Sequence, residues 1–308
     1  MARQRDPRTS ATPTLHFHRS AHGMLVRMHL RLTGRHPLLG PNLDQVPDQD
    51  GGLVLDARRL DFAGPLELAA TVALAHAANA KLLSTSFITA DNPDVTGYMQ
   101  RMDVIRRMPA DTIIDGRLPT ERRADLAGTL LEVSPLDSQT ADDLATRLGR
   151  LVTAHYSSAA VGKIFEAVGE LIDNAVDHGT SPQGAFIAAQ VYTGVTSGRR
   201  GFEVAICDTG IGILAHLRRN PAHAAIADAP SALACALKPG VSGTTEDRGN
   251  GLSDLLTGLE FGGLARFHLR SGAGLATVTV RSRRLSERSR STTTPVQGTW
   301  AWLRVRIP

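Results

Sequence analysis

The stretch from Val161 to Gly179, VGKIFEAVGELIDNAVDHG, constrains this chain more than any other. Apolar residues fall at Val161, Ile164, Phe165, Val168, Leu171, Ile172, Ala175 and Val176, the i, i+3, i+4, i+7 spacing of an amphipathic helix. A stripe of that width must bury. The other side carries Glu170, Asn174 and Asp177, with His178 at its edge. Glu170 and Asn174 are one turn apart, so a carboxylate and a side-chain amide project from neighbouring positions of one face. Asparagine inside a helix works slightly against it, because its amide competes for backbone hydrogen bonds. On the helix alone, this polar face reads equally well as a solvated surface or as a site.

The residues that follow tip the balance. After an expected hairpin, Phe202 to Cys207 (FEVAIC) reads as a buried strand running straight into Asp208, Thr209, Gly210, Ile211, Gly212 and Ile213. Further on come Arg248, Gly249, Asn250, Gly251 and Leu252, opening a helix over Leu252 to Leu259. The pieces E-x-x-x-N-A-x-x-H-G, D-x-G-x-G-I and G-x-G-L thus stand in that order on a helix, a strand-turn and a turn-helix. Here the chain resembles the Bergerat-fold ATPases, the GHKL superfamily that includes DNA gyrase, histidine kinases and mismatch-repair ATPases. The resemblance spans roughly Leu126 to Pro308.

The chemistry of these groups fits what the resemblance implies. Magnesium is small, seeks oxygen and is usually held by one or two protein oxygens plus the phosphates of a nucleotide. Asn174 offers one neutral carbonyl oxygen, and the resemblance makes it the metal and cofactor residue for Mg-ATP. Glu170 takes the catalytic role, orienting or deprotonating a water or a protein hydroxyl beside the γ-phosphate. Asp208 corresponds to the carboxylate that accepts the adenine amine. Gly210 and Gly212 are expected to supply positive φ and close backbone approach, with Ile213 beside them. Gly249, Asn250, Gly251 and Leu252 stand at a helix start, where free N–H groups attract an anion. The long segment from Leu214 to Arg248 reads as a lid hinged at Gly240 and Gly243, with Thr244, Thr245 or Arg248 facing phosphate. Thr299, after Gly298, matches the last nucleotide-proximal motif of the family.

Upstream, Thr14 to Phe17 and Met24 to Leu32 read as strands, His36 to Gly52 as a loop, Leu53 to Asp56 as a short buried strand, and Pro65 to Ala80 as an alanine-rich helix begun by proline. Lys81 to Thr89 returns as a strand, and Val95 to Met108 as a short helical stretch. Through LVLDARRLDFAGPLELAATVAL, Leu53 to Leu74, this module resembles a STAS domain, the fold of anti-sigma-factor antagonists. At the helix start, where signalling members carry a phosphorylated serine or threonine, this chain has Ala63-Gly64-Pro65, with no hydroxyl. A docking or sensing module is the expectation, with a structural companion domain as the other option.

The fold expected is therefore α/β: an α+β sandwich of the Bergerat type, with a mixed sheet covered by helices, preceded by a small STAS-like α/β domain. Residues 1–12 form a tail, 13–108 the STAS-like domain, 109–125 a polar linker, and 126–308 the ATP-binding domain. Thr129 to Val133 begins the latter as a strand, followed by a helix from Thr140 to about Tyr156. At its end Leu264 to Arg270 and Leu275 to Arg281 read as a hairpin across Ser271 to Gly274, and Trp300 to Ile307 as the closing strand. The segment 281–295, rich in arginine and threonine, reads as a hydrophilic insertion between them.

Composition narrows the function classes. An apolar content of 42% and a charged content of 21% over 308 residues are those of a globular protein of about two domains. No apolar run is long enough for a membrane span, and the N-terminal residues lack an apolar signal region, so the expectation is a cytoplasmic protein. Net charge is only +4 and aromatics are 4% of the chain, none of them between Arg281 and Pro295, which argues against nucleic-acid binding. The phosphate loop G-x-x-x-x-G-K-[ST] is absent, since Gly162-Lys163 is followed by Ile164. Asp208-Thr209-Gly210 is also the tripeptide of aspartic proteases, but it occurs once, and that chemistry needs two such carboxylates. The resemblance implies an ATP-binding signalling regulator like the anti-sigma serine/threonine kinases, with ATP and Mg2+ as cofactors and a protein partner of the signalling or sigma-factor-regulating type. It would phosphorylate or sequester that partner, and a homodimer is compatible with it. The alternative is a non-catalytic, ATP-dependent conformational switch.

Overall fold

The computed structural model describes residues 26–32, 43–47, 51–120, 126, 128–178, 184–195, 200–243, 252, 264–281 and 284–306. They form a mixed α/β structure with two five-stranded sheets. The tail 1–12 and the strand expected at Thr14 to Phe17 lie outside the described residues. Among the described residues, no helix is long and apolar enough to cross a membrane.

In the first sheet β1 (Val26–Arg31), β3 (Gly52–Asp56), β4 (Thr85–Ile88) and β5 (Ile113–Asp115) run parallel, and β2 (Leu43–Pro47) adds an antiparallel edge to β1. Two features differ from the sequence reading. β2 lies in the stretch expected to be a loop, and β5 lies inside the stretch expected to be a linker. Both are short edge strands, of five and three residues, and pairing to an existing sheet, rather than their own pattern, is what makes them strands.

The helix α1 (Pro65–Asn79) follows β3 and is buried along nearly its whole surface. Its sequence, PLELAATVALAHAAN, is apolar or small on every side, as a helix enclosed on all faces requires. It fills the space between the first sheet and the second: Leu53, Leu55 and Phe87 from one sheet join α1 and Phe186, Ala205, Trp300 and Trp302 from the other in one core. The helices α2 (Pro93–Arg101) and α3 (Val104–Arg107) complete this layer. An ion-pair set spans it, with Arg101 of α2 at 2.6 Å and Arg147 at 3.2 Å from the carboxylate of Glu132.

The second sheet is antiparallel, in the order β6-β7-β8-β10-β9, from β6 (Leu130–Leu136), β7 (Ala185–Thr193), β8 (Arg200–Asp208), β9 (Leu264–Arg281) and β10 (Arg284–Arg306). One face meets α1. The other is covered by α4 (Ala141–Thr153), α5 (Ser158–His178) and α7 (Ala229–Ala236) over a second core that includes Leu148, Ile164, Leu171, Phe202, Val204 and Leu233. With helices on both sides, β8 is buried on both faces, which is why FEVAIC is apolar at every position but Glu203 rather than alternating.

The hairpin expected across Ser271 to Gly274 is not formed. β9 runs through these residues as one strand and pairs with β10 on both sides of a shift in register. Of the arginine-rich segment 281–295, Arg281 thus ends β9 and residues 284–295 form the first half of β10 rather than an insertion. Register shifts between Ser291 and Thr299 absorb the irregularity, and Gly272, with φ of 53°, bends the strand there without reversing it. Phe165, expected in the buried stripe of α5, is 47% exposed and lies against Gly149 of α4.

Candidate functional site

The amphipathic stripe of α5 buries Ile164, Val168, Leu171 and Ile172 against the second sheet, which turns its polar side toward the end of β8. Between them lies a cleft lined by Glu170, Asn174, Asp177, Asp208, Gly212, Ile213, His216, Leu252 and Thr299, among others. Its volume is about 230 Å³, several times the ~30 Å³ share of one water molecule, so it has room for an organic ligand rather than a lone ion. Residues from the helix, from the strand-turn and from the last strand, far apart in the chain, share this one space.

Asn174 is half-buried. Its amide nitrogen donates to the backbone carbonyl of Glu170, one turn back, at 2.6 Å. The mid-helix asparagine is thereby satisfied locally, and its carbonyl oxygen remains for whatever enters the cleft. Glu170 is half-buried at the same wall.

Asp208 is 4% exposed at the end of β8. Its Oδ1 accepts the backbone N–H of Gly210 at 2.8 Å, and the backbone N–H of Thr299 also donates to the carboxylate. Burial outweighs these donors and pushes its carboxyl up to about 7. An acid raised by burial at the wall of a cleft makes Asp208 a candidate site residue.

The turn after Asp208 is clamped by the irregular part of β10. Gly212, at φ of 75°, opens the short helix α6 (Gly212–Leu217), and a Cβ there would lie 2.7 Å from the Ser271 hydroxyl oxygen. That hydroxyl accepts the backbone N–H of Ile213 at 2.9 Å and donates to the carbonyl of Gly298 at 2.8 Å. Gln297 donates through Nε2 to the carbonyl of Thr209 at 2.7 Å. Gly298, at φ of 78°, sits so close that a Cβ would be 2.2 Å from the Asp208 carbonyl oxygen. The shift in register that breaks the β9–β10 ladder is therefore what seats the turn. Of the two glycines expected to give positive φ, Gly212 does so, whereas Gly210 contributes the N–H that fixes Asp208 and is not part of the cleft wall.

Of the expected site residues, Glu170, Asn174, Asp208, Gly212, Ile213, Leu252 and Thr299 meet at the cleft. Thr244, Thr245, Gly249, Asn250 and Gly251 lie outside the described residues. The segment before them reaches the cleft at Val241, Ser242 and Gly243. It is held there by Asn220, whose Nδ2 donates to the Ser242 carbonyl at 3.0 Å, and by Gly243, where a Cβ would meet the His216 ring at 2.3 Å.

His216, Ser271 and Gln297 were not singled out from the sequence. His216 carries a signal only in hindsight, four residues beyond Gly212 on a helix whose start was read as a turn. Ser271 and Gln297 carry none, since their role depends on the register of β9 and β10.

Among the described residues, no group of three or more His, Cys, Asp or Glu could cage a metal. Magnesium asks for no such cage when a nucleotide supplies most of its ligands, and the single amide oxygen of Asn174 on the cleft wall suits that use. No protein-family model matches this chain, and no curated protein matches it.

Proposed function

We propose that the chain is an ATP-binding signalling regulator: a Bergerat-type nucleotide domain backed by a STAS-like module, acting as a serine/threonine protein kinase or anti-sigma-like protein on a protein partner. The observation that carries this reading is the convergence of Glu170, Asn174, Asp208, Gly212, Ile213 and Thr299, from three separate segments, on one cleft. The second sheet, wholly antiparallel rather than mixed as expected, carries α4, α5 and α7 on the face that holds the cleft, and the parallel strands before it have an antiparallel edge; both arrangements are compatible with the two finer fold assignments.

In this reading the buried Asp208 accepts a hydrogen bond from the exocyclic amine of adenine, and the bare backbone at Gly212 lets the nucleotide approach closely. Asn174 would hold Mg2+ through its carbonyl oxygen, the ion neutralising phosphate charge when bound. Glu170, one turn away, orients and deprotonates the attacking hydroxyl of the partner or a water. The buried start of α1 offers no acceptor hydroxyl at Ala63-Gly64-Pro65, so the N-terminal module would dock or sense rather than receive phosphate. A regulator of this kind works in the cytoplasm.

Incubation of the full chain with magnesium and γ-labelled ATP, with and without a cell lysate as a source of acceptors, tests the reading. Labelled protein or free phosphate is expected, falling about 10²–10⁴-fold in Glu170→Ala while nucleotide binding persists. Intact binding with neither product would leave the ATP-dependent switch, and absence of binding would end both readings.

A further inference from the structure

The first half of β10, Arg284 to Ser291, pairs with β9 on one side only. β8 pairs with β10 from Trp300 to Val305, so among the described residues the outer edge of this half has no strand beside it. Arg284, Arg288 and Arg290 are exposed and, two or four residues apart, point to one face of the ribbon. Arg281, the register partner of Arg284, is exposed beside them. None of the four makes an ion pair among the described residues, and the one carboxylate of this half-strand, Glu287, points to the opposite face and feels Lys238.

Arginines on an edge also keep like strands apart, and alone they would mean no more than that. A second observation separates this edge from a merely protected one. Arg270, on β9 opposite Trp300, is 2% exposed. It donates to the Thr294 carbonyl and lies over the Trp300 ring, its Nε has no hydrogen-bond partner among the described residues, and the charge of Arg290 acts on it. A buried guanidinium with a like charge acting on it, and no ion pair among the described residues, leaves positive charge at this end of the edge uncompensated, which favours an incoming anion.

We infer that this edge is a docking site for an acidic protein segment that adds as a further strand to β10. Its backbone pairs with the open edge, and its carboxylates, at every second position, meet Arg284, Arg288 and Arg290. At ~3.4 Å per residue, side chains two and four residues apart on the added strand match the arginine spacing. A strand fits better than a nucleic acid, because the edge offers backbone hydrogen bonding and the segment has no aromatic side chain on which a base could stack. The inference is independent of the nucleotide site.

The test is titration of the full chain with a fluorescent eight-residue peptide of alternating glutamate and valine. Saturable binding is expected, weakened about tenfold or more by Arg284→Glu, Arg288→Glu and Arg290→Glu together, since several charge-assisted contacts are reversed. The same peptide with alternate amides N-methylated keeps its charge but loses the strand edge, and on the unaltered protein it should also bind about tenfold more weakly. No binding of the glutamate peptide, equal binding of the N-methylated form, or equally tight binding of an oligothymidylate would each overturn the proposal.

Discussion

At the scale of single residues the site depends on Asp208, a carboxylate almost removed from water and held by two backbone N–H groups. Because burial raises its carboxyl to about 7, the protonated form is populated below neutrality, and only the ionised form is a full acceptor for an adenine amine. Affinity for ATP should therefore rise with pH through about 7 and then level off. Asp208→Asn should bind about tenfold or more weakly and lose that rise. Phosphate protons titrate with either protein, so the difference between the two calorimetric profiles is the quantity to read. Parallel profiles would remove Asp208 from the base site. Glu170, Asn174 and Asp208 were legible in the sequence because each sits at a fixed offset in a helix or at a strand end. Ser271 was not, since a serine before a glycine reads as a turn wherever its partners are unknown.

At the scale of elements, the turn after β8 is shaped from outside. The sequence identifies α5, β8 and α1 through period and continuous burial, properties a segment carries by itself. It misleads where an element depends on its neighbour: β2 and β5 are strands through pairing, and β9 passes through Ser271-Gly272-Ala273-Gly274 because β10 runs beside it. The same dependence makes Gly298 a sharp test. It and Gly240 share a left-handed φ, 78° and 72°, but a Cβ at Gly298 would strike Asp208, whereas at Gly240 it would meet nothing within 4 Å among the described residues. Gly240→Ala should lose only the backbone cost, roughly 1–2 kcal/mol. Gly298→Ala should lose more in denaturant unfolding and should also weaken ATP binding, because Asp208 has to move. Equal losses in the two variants would mean that the clamp is not what seats the turn.

At the scale of the whole molecule, the two sheets are joined through α1, and the join contains a pair of buried acids. Glu67 of α1 is 4% exposed and accepts the Gly64 N–H at 3.0 Å. Glu203 of β8, equally buried, accepts from Trp302 Nε1 at 2.6 Å and the Tyr192 hydroxyl at 3.0 Å, with Arg304 at 3.9 Å. Burial, with the charge of Glu203 added, pushes the Glu67 carboxyl up to about 7 from an ordinary 4.5. Below the ordinary value, folded and unfolded chains both hold this proton. Between that value and about 7 the folded chain keeps it and the unfolded chain does not, so stability falls as pH rises through the window. Glu67→Gln should therefore melt higher than the parent at pH 8 and show a shallower decline between pH 5 and 8, Asp208 supplying a remaining slope of the same sign. An unchanged slope in thermal melts would mean that this acid is ionised in the folded chain. The proposed uptake of Mg-ATP by the cleft is measured directly by calorimetric titration of ATP into the full chain, with and without magnesium. The parent should bind about tenfold more tightly with magnesium and Asn174→Ala should lose that advantage, whereas a parent that takes up no ATP under either condition would contradict the account.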